Sequence, residues 1–135
     1  MTGAKAFFDT NVLIYAVVQD DPRSARAEEI LLSGGVLSVQ ILNEFVSVAR
    51  RKLAMSWREV NQALDAFRVL CTAPLPITVK IHEAALKIAE WHSYNIYDAL
   101  VVAAALDAGC ATLYSEDLQH NQTIAGQLII KNPFR

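Results

Sequence analysis

The sequence has few cysteines, no long apolar run and no strong excess of charge of either sign. Its only cysteines, Cys71 and Cys110, show no CxxC spacing, which excludes a disulfide scaffold and a zinc ribbon and indicates buried thiols in a reducing compartment. The longest apolar run, Ala99 to Leu106, is far shorter than the about 20 residues that span a bilayer. Near the N-terminus, the pair Phe7-Phe8 is stopped by Asp9, so the apolar core of a signal peptide is missing. We therefore expect a cytoplasmic protein with no membrane attachment.

The charge balance argues against a protein that holds duplex nucleic acid by bulk electrostatics. Twelve basic and 14 acidic residues give a formal net charge of -2, whereas such proteins carry a strong basic excess. An enzyme that contacts nucleic acid through a local patch remains compatible with this balance. Hydrophobic residues make up 53% of the 135 residues and charged residues 19%, which predicts one folded domain over residues 1–135 rather than disorder.

Short apolar segments alternate with helical patterns along the chain. Strands are predicted at Ala4–Phe8, Val36–Val39, Pro74–Ile77, Ala111–Tyr114 and Leu128–Ile130. Helices are predicted over Val12–Val18, Arg23–Leu32, Gln40–Ala54, from the capping box Ser56–Glu59 to about Leu70, and over Lys80–Trp91 and Tyr97–Ala108. This alternation predicts an α/β fold with a parallel sheet of about five strands, covered by helices on both faces. Ligand sites in such folds lie beyond the carboxyl ends of the strands.

Two acidic residues follow predicted strands at that edge. Asp9 comes directly after the first strand, and Asp117 follows the fourth in Ser115-Glu116-Asp117. Each has a structural interpretation, because aspartate commonly caps a helix N-terminus or occupies a turn. Taken singly, Asp9 is better explained as a helix cap than as a catalytic group.

Two further acidic residues lie on helices that the pattern packs into the core. Asp98 enters a helix that is apolar all round, so its carboxylate must be paired, hydrogen-bonded or metal-bound. An alternative is a capping arrangement in which Asn95 is the cap and Asp98 is the third helical residue. Glu44 falls at the border of its helix's apolar face, and alone it is better explained as a solvated residue.

Together the four acids suggest a metal site. Carboxylates that converge in one cleft repel, at a cost of roughly 3 kcal/mol per pair at ~5 Å and an effective dielectric constant of ~20. A divalent cation relieves this repulsion, and all-oxygen ligands suit Mg²⁺ or Mn²⁺ rather than zinc. A cation with open coordination positions can orient water for displacement at phosphorus. The three histidines, His82, His92 and His120, lack metal-ligand spacing and are interpreted as surface or packing residues.

Four segments of the chain carry these acids: Phe8-Asp9-Thr10-Asn11-Val12-Leu13, Asn43-Glu44-Phe45, Tyr97-Asp98 with the apolar run that follows, and Leu113-Tyr114-Ser115-Glu116-Asp117-Leu118. With these segments the chain resembles a known family, the PIN domain, and looks like a toxin ribonuclease of the VapC type from a toxin–antitoxin pair. The resemblance covers essentially the whole chain, in the family's order and at its usual intervals.

The resemblance implies a three-layer α/β/α domain that hydrolyses RNA phosphodiester bonds at an acidic metal site. In that reading Asp9 and Asp98 are the principal ligands of Mg²⁺ or Mn²⁺, Glu44 completes the site, and Asp117 holds the metal directly or through water. The family pattern of Ser or Thr, any residue, then an acid selects Asp117 rather than Glu116. Supporting positions are matched by Thr10, Asn11 and Ser115.

The resemblance also implies partners. Such toxins form homodimers, cut RNA (transfer RNA among the targets) and are held inactive by a small antitoxin whose tail covers the acidic cleft. The only basic triplet, Arg50-Arg51-Lys52, is a candidate for substrate contact, although cations at a helix C-terminus have an electrostatic explanation of their own.

Two alternatives from other classes remain open. One is a non-catalytic PIN-fold module that binds RNA or protein. The other is a receiver-like phosphoacceptor domain, because Asp9 follows a strand. That interpretation requires adjacent acids at the end of the first strand and a lysine after a late strand. Neither is present, because Lys5 precedes Asp9 and the only late lysine, Lys131, follows the last predicted strand.

Overall fold

The computed structural model describes residues 5–135, so the first residue of the predicted strand at Ala4 lies outside the described chain. Six helices are present in this part: α1 (Thr10–Val17), α2 (Ser24–Leu32), α3 (Val39–Arg51), α4 (Trp57–Leu70), α5 (Val79–His92) and α6 (Ile96–Asp107). Four strands accompany them: β1 (Ala6–Phe8), β2 (Thr112–Tyr114), β3 (Thr123–Ile124) and β4 (Leu128–Lys131). Across residues 5–135, none of the helices has the length and apolar character needed to cross a membrane.

The strands form one mixed sheet in the order β1-β2-β4-β3. β1 pairs with β2 and β2 with β4 in parallel, whereas β3 is antiparallel to β4. Phe7 lies opposite Leu113, which lies opposite Ile130, and all three side chains are fully buried. Helices α1 to α4 pack among themselves and α5 packs on α6. The predicted three-layer α/β/α fold with a mostly parallel sheet is therefore confirmed.

The sheet has four strands rather than the about five that the sequence predicts, and two predicted strands are wrong as continuous elements. Val36 bridges Phe7 and Leu75 bridges Ser38, each as a single parallel contact beyond β1. The first segment ends early because Ser38 caps α3, which begins at the next residue. The second contains Pro74 and Pro76, which have no N–H to donate to a ladder. The short strand β3 was not predicted.

The helices follow their predicted positions to within a few residues at each end. The Ser56–Glu59 capping box is present, with both reciprocal hydrogen bonds formed. α1 begins at Thr10 rather than Val12, because Asp9 is its N-cap. Residues 99–105 of α6 are all buried, as the apolar pattern predicts.

Gly35, at the start of the Val36 bridge, allows a close approach between this segment and β1. A Cβ atom at this position would lie 2.5 Å from the Phe8 ring and 2.7 Å from the Ala6 carbonyl oxygen. Only a residue without a side chain fits between the bridge and the strand.

Candidate active site

The four acids singled out in the sequence line one cavity of about 410 Å³, which we call the acidic cavity. Asp9 and Asp117 reach it from the carboxyl ends of β1 and β2, while α3 supplies Glu44 and α6 supplies Asp98. Its remaining lining residues are Thr10, Asn11, Ile14, Tyr15, Val48, Lys52, Leu53 and Val101. The cavity therefore lies at the sheet edge where ligand sites of parallel α/β folds are found.

Asp9 is the most deeply buried of the four acids, with 6% of its surface exposed. Its carboxylate accepts a 2.7 Å hydrogen bond from the backbone N–H of Thr10 and another of 2.7 Å from the Ser115 hydroxyl. Burial raises the pKa of Asp9 to about 6, against the lowering effect of these two bonds, and the nearby carboxylates of Asp117 and Glu44 raise it further. Asp9 is thus both the helix cap and an acid directed into the cavity.

Glu44 and Asp98 are half-buried, and each is held by neutral side chains. Thr10 Oγ1 and Gln40 Nε2 lie 3.4 and 3.5 Å from Glu44 Oε2, and Asn95 Nδ2 donates to Asp98 Oδ2 at 2.9 Å. Burial raises the pKa of Glu44, and repulsion by Asp98 adds to the effect. The pKa of Asp98 is also raised, first by burial and then by Asp117. Asp9, Glu44 and Asp98 therefore each lie close enough to another carboxylate of the cavity for repulsion to oppose their ionisation.

The capping arrangement at α6 is also present. The Asn95 side chain accepts a hydrogen bond from the backbone N–H of Asp98 while donating to its carboxylate. The structural and functional interpretations of Asp98 thus hold together.

The structure distinguishes Asp117 from its neighbour Glu116. Asp117 lines the acidic cavity, and its carboxylate accepts a 3.2 Å hydrogen bond from Asn11 Nδ2. Glu116 faces away and accepts hydrogen bonds from the Tyr15 hydroxyl at 2.6 Å and from Arg23 at 2.8 Å. Only the second acid of the pair is therefore available to the cavity.

The three supporting positions all contact the acids. Thr10 and Ser115 bind Asp9, and Asn11 binds Asp117. Asn11 Oδ1 is buried and has no hydrogen-bond partner in the described structure. An unpaired buried carbonyl oxygen is costly. This oxygen is therefore free to act as a ligand beside the acids.

The donor set fits a hard divalent cation. All the acidic groups and the free Asn11 oxygen are oxygen ligands, which Mg²⁺ and Mn²⁺ prefer. Within residues 5–135, no group of three or more His, Cys, Asp or Glu side chains is drawn together closely enough to form a ready-made metal cluster. A cation that binds here has to draw the carboxylates inward against their mutual repulsion.

Sequence reasoning missed part of the surroundings. Arg23 bonds both Asp21 and Glu116 and stacks on the Tyr15 ring, 4.0 Å from its centroid. This cluster fixes the turn that carries Asp117. Arg23 and Glu116 are 93 residues apart, and no local pattern in the sequence marks their pairing.

The described structure gives no support to a mechanism that uses the histidines. His82, His92 and His120 do not line the acidic cavity. The His92 ring stacks on Tyr94, and His120 accepts a hydrogen bond from the backbone of Asn132. These two histidines pack as predicted.

The receiver-like interpretation also lacks its lysine. Lys131 donates to Asn121 Oδ1 at 2.5 Å and is not among the residues that line the acidic cavity. The geometry for a phosphoacceptor aspartate is therefore incomplete in the described chain.

Comparison with known proteins finds one matching family and similar solved structures. A family model described as PIN domain matches residues 6–124. The chain is similar in structure to the sarcin–ricin-loop-cleaving toxin VapC20 of Mycobacterium tuberculosis, with a TM-score of 0.65, 22% identity, and coverage of 84% of this chain and 90% of that one. It is also similar to a toxin–antitoxin complex from Klebsiella pneumoniae, with a TM-score of 0.72, 18% identity, and coverage of 96% and 98%. No curated protein matches the chain by sequence.

Proposed function

The chain belongs to the PIN domain family, and from that premise we propose that it is a Mg²⁺- or Mn²⁺-dependent endoribonuclease acting as the toxin of a toxin–antitoxin pair. The observation that carries the proposal is the acidic cavity, in which four carboxylates from separate parts of the chain meet at the sheet edge. A protein gains no stability from bringing like charges together. A role in binding a cation explains why the four carboxylates lie together.

The proposed roles are those that the resemblance to the PIN family implies for the four acids. Asp9 and Asp98 are the principal metal ligands, Glu44 completes the site, and Asp117 holds the metal directly or through water. A Mg²⁺ or Mn²⁺ ion held by these residues would supply Lewis-acid chemistry and a nucleophilic water for hydrolysis of the RNA phosphodiester. Ser115 fixes the orientation of Asp9. Because the pKa of Asp9 is raised to about 6 by burial, protons compete with the metal at acidic pH.

The proposed partners rest on the family and its solved neighbours. One structural neighbour is described as cleaving the sarcin–ricin loop, and the other is a toxin–antitoxin complex. We propose that this chain likewise cuts RNA, with transfer RNA as one candidate, forms a homodimer and is inhibited by a small cognate antitoxin. A cationic antitoxin side chain that enters the acidic cavity would compete with the metal, and an antitoxin complex with an unobstructed cavity would contradict this.

The decisive experiment is cleavage of a mixed cellular RNA pool by purified, antitoxin-free protein. Cutting is expected with Mg²⁺ or Mn²⁺ and is lost in EDTA. Asp98→Asn removes a ligand charge with little change of shape, so we expect a rate loss of at least about 10- to 100-fold, the range seen even for groups outside the ligand shell. Asp107→Asn is the matched control, because Asp107 ends the same helix and does not line the acidic cavity.

The outcomes separate the two candidate functions. Metal-dependent cutting that Asp98→Asn abolishes and Asp107→Asn retains supports the nuclease. Cutting that survives in Asp98→Asn identifies a contaminating enzyme. Folded, metal-binding protein that cuts no RNA in the pool favours a non-catalytic PIN-fold module that binds RNA or protein.

A further inference from the structure

The three consecutive cations at the end of α3 have different environments. Arg50 donates to the Met55 carbonyl oxygen at 2.8 Å, and its guanidinium lies over the Trp57 ring, 4.4 Å from the centroid. Arg51 donates to Ser47 Oγ at 3.1 Å. Both arginines are therefore engaged by nearby parts of their own chain.

Lys52 is different, because it lines the acidic cavity. It is the C-cap of α3 and is exposed. Among residues 5–135, it is the only cationic residue that lines this cavity, and no carboxylate lies within 4.0 Å of its ammonium group. Lys52 thus borders the cavity, and no ion pair within the described chain neutralises its charge.

An RNA substrate needs such a charge. Four ionised carboxylates exceed the charge of one divalent cation by two units, so the acidic cavity stays negative to an approaching phosphodiester. The chain as a whole has a formal charge of -2 and supplies no general attraction. A local cation at the cavity is the available means of offsetting this repulsion.

We propose that Lys52 binds a backbone phosphate of the RNA substrate next to the scissile bond. The inference rests on the proposed nuclease function and adds a residue that contacts the substrate. Lysine acts here as a point charge that binds phosphate. Because it meets the same phosphate in the ground state and in the transition state, its loss should raise KM and leave kcat nearly unchanged.

Salt dependence gives the proposal a quantitative test. Each phosphate contact with single-stranded nucleic acid contributes about 0.7 to the slope of log affinity against log salt concentration. Lys52→Gln should therefore lower this slope by about 0.7. Between about 50 and 200 mM salt, the affinity advantage of the parent over the Lys52→Gln variant should shrink by about 2- to 3-fold.

The measurement is fluorescence anisotropy of a short, labelled single-stranded RNA of randomised sequence. The protein carries Asp98→Asn throughout, with Mg²⁺ at fixed concentration, so that the probe is not cut. Lys52→Arg keeps the charge and should retain the slope. Lys87→Gln is the matched control, because it removes the same charge from an exposed position on α5, outside the acidic cavity.

The results have distinct meanings. A reduced slope in Lys52→Gln alone, with a raised KM in the otherwise unaltered enzyme, supports the proposal. Equal slopes in Lys52→Gln and Lys87→Gln overturn it, because the lysine would then act only as general surface charge at a helix end. If the unaltered protein shows no metal-dependent RNA cleavage, the nuclease function itself fails. If it cleaves RNA normally but the Lys52→Gln slope is unchanged, only the role of Lys52 fails.

Discussion

Replacing Asp9 with asparagine should stabilise the metal-free protein while removing the proposed nuclease activity. Burial raises the pKa of Asp9 from 3.8 to about 6 in the folded protein, whereas the unfolded chain retains the ordinary value. Between these values the folded state binds more protons than the unfolded state, so stability falls as pH rises through this window. Above pH 6 the folded state bears the full free-energy cost of the buried, ionised carboxylate. A pKa shift of this size corresponds to about 3 kcal/mol.

Asparagine resembles the protonated acid and does not carry this cost. With EDTA at pH 7.5, we expect Asp9→Asn to be more stable than wild type by about 3 kcal/mol. The difference should shrink as pH falls below 6 and vanish near pH 4. Urea unfolding followed by circular dichroism gives the free energies of unfolding, and comparable m-values show that the folded states are equally compact.

A matched control and a metal titration complete this experiment. Asp65→Asn changes an exposed acid on α4 and should leave stability unchanged within about 0.5 kcal/mol. Mg²⁺ should stabilise wild type more than Asp9→Asn, because only a state that binds the ligand gains from it. An Asp9→Asn protein that is equally or less stable at pH 7.5 in EDTA would refute the reasoning. A stability difference that does not depend on pH would refute it as well.

Two further predictions concern the packing around the sheet. Gly35→Ala should destabilise the protein by about 1–3 kcal/mol, since its Cβ would lie 2.5 Å from the Phe8 ring; a urea midpoint equal to that of wild type would contradict this. Burial raises the pKa of both Cys71 and Cys110 to about 11. Because the thiolate is the reactive form, both should react much more slowly with a thiol reagent at pH 8 in the folded protein than in denaturant, and rapid labelling of native protein would contradict it.

The helices and the fold class could be predicted from the sequence because their signals are local. The Ser56–Glu59 capping box and the uninterrupted apolar run of α6 each determine an element within a few residues. The predicted strands at Val36–Val39 and Pro74–Ile77 form only single bridges, because a helix cap and two prolines interrupt them. β3 is two residues long, too short for any periodicity to identify.

The candidate site was predictable in composition but not in detail. Asp9 and Asp117 follow paired parallel strands, so their meeting at one edge follows from topology. The family pattern selects Asp117 rather than Glu116, but the contact of Glu116 with Arg23, a partner distant in sequence, is visible only in the structure. Lys52 lines the acidic cavity, whereas its two arginine neighbours contact other parts of the chain. This difference likewise depends on side-chain contacts that only the folded chain defines.

The outermost bridge of the sheet has a consequence for self-association. Leu75 directs both its N–H and its C=O toward the neighbouring segment, bonding Leu37 and Val39, so the residues on either side of it direct their backbone groups outward. Those residues are Pro74 and Pro76, which have no N–H, and proline at such an edge disfavours the addition of a strand from another molecule. At the opposite edge, β3 offers only two residues. Within the described residues, both borders of the sheet are therefore poor templates for edge-to-edge aggregation, and association of copies by strand addition is disfavoured.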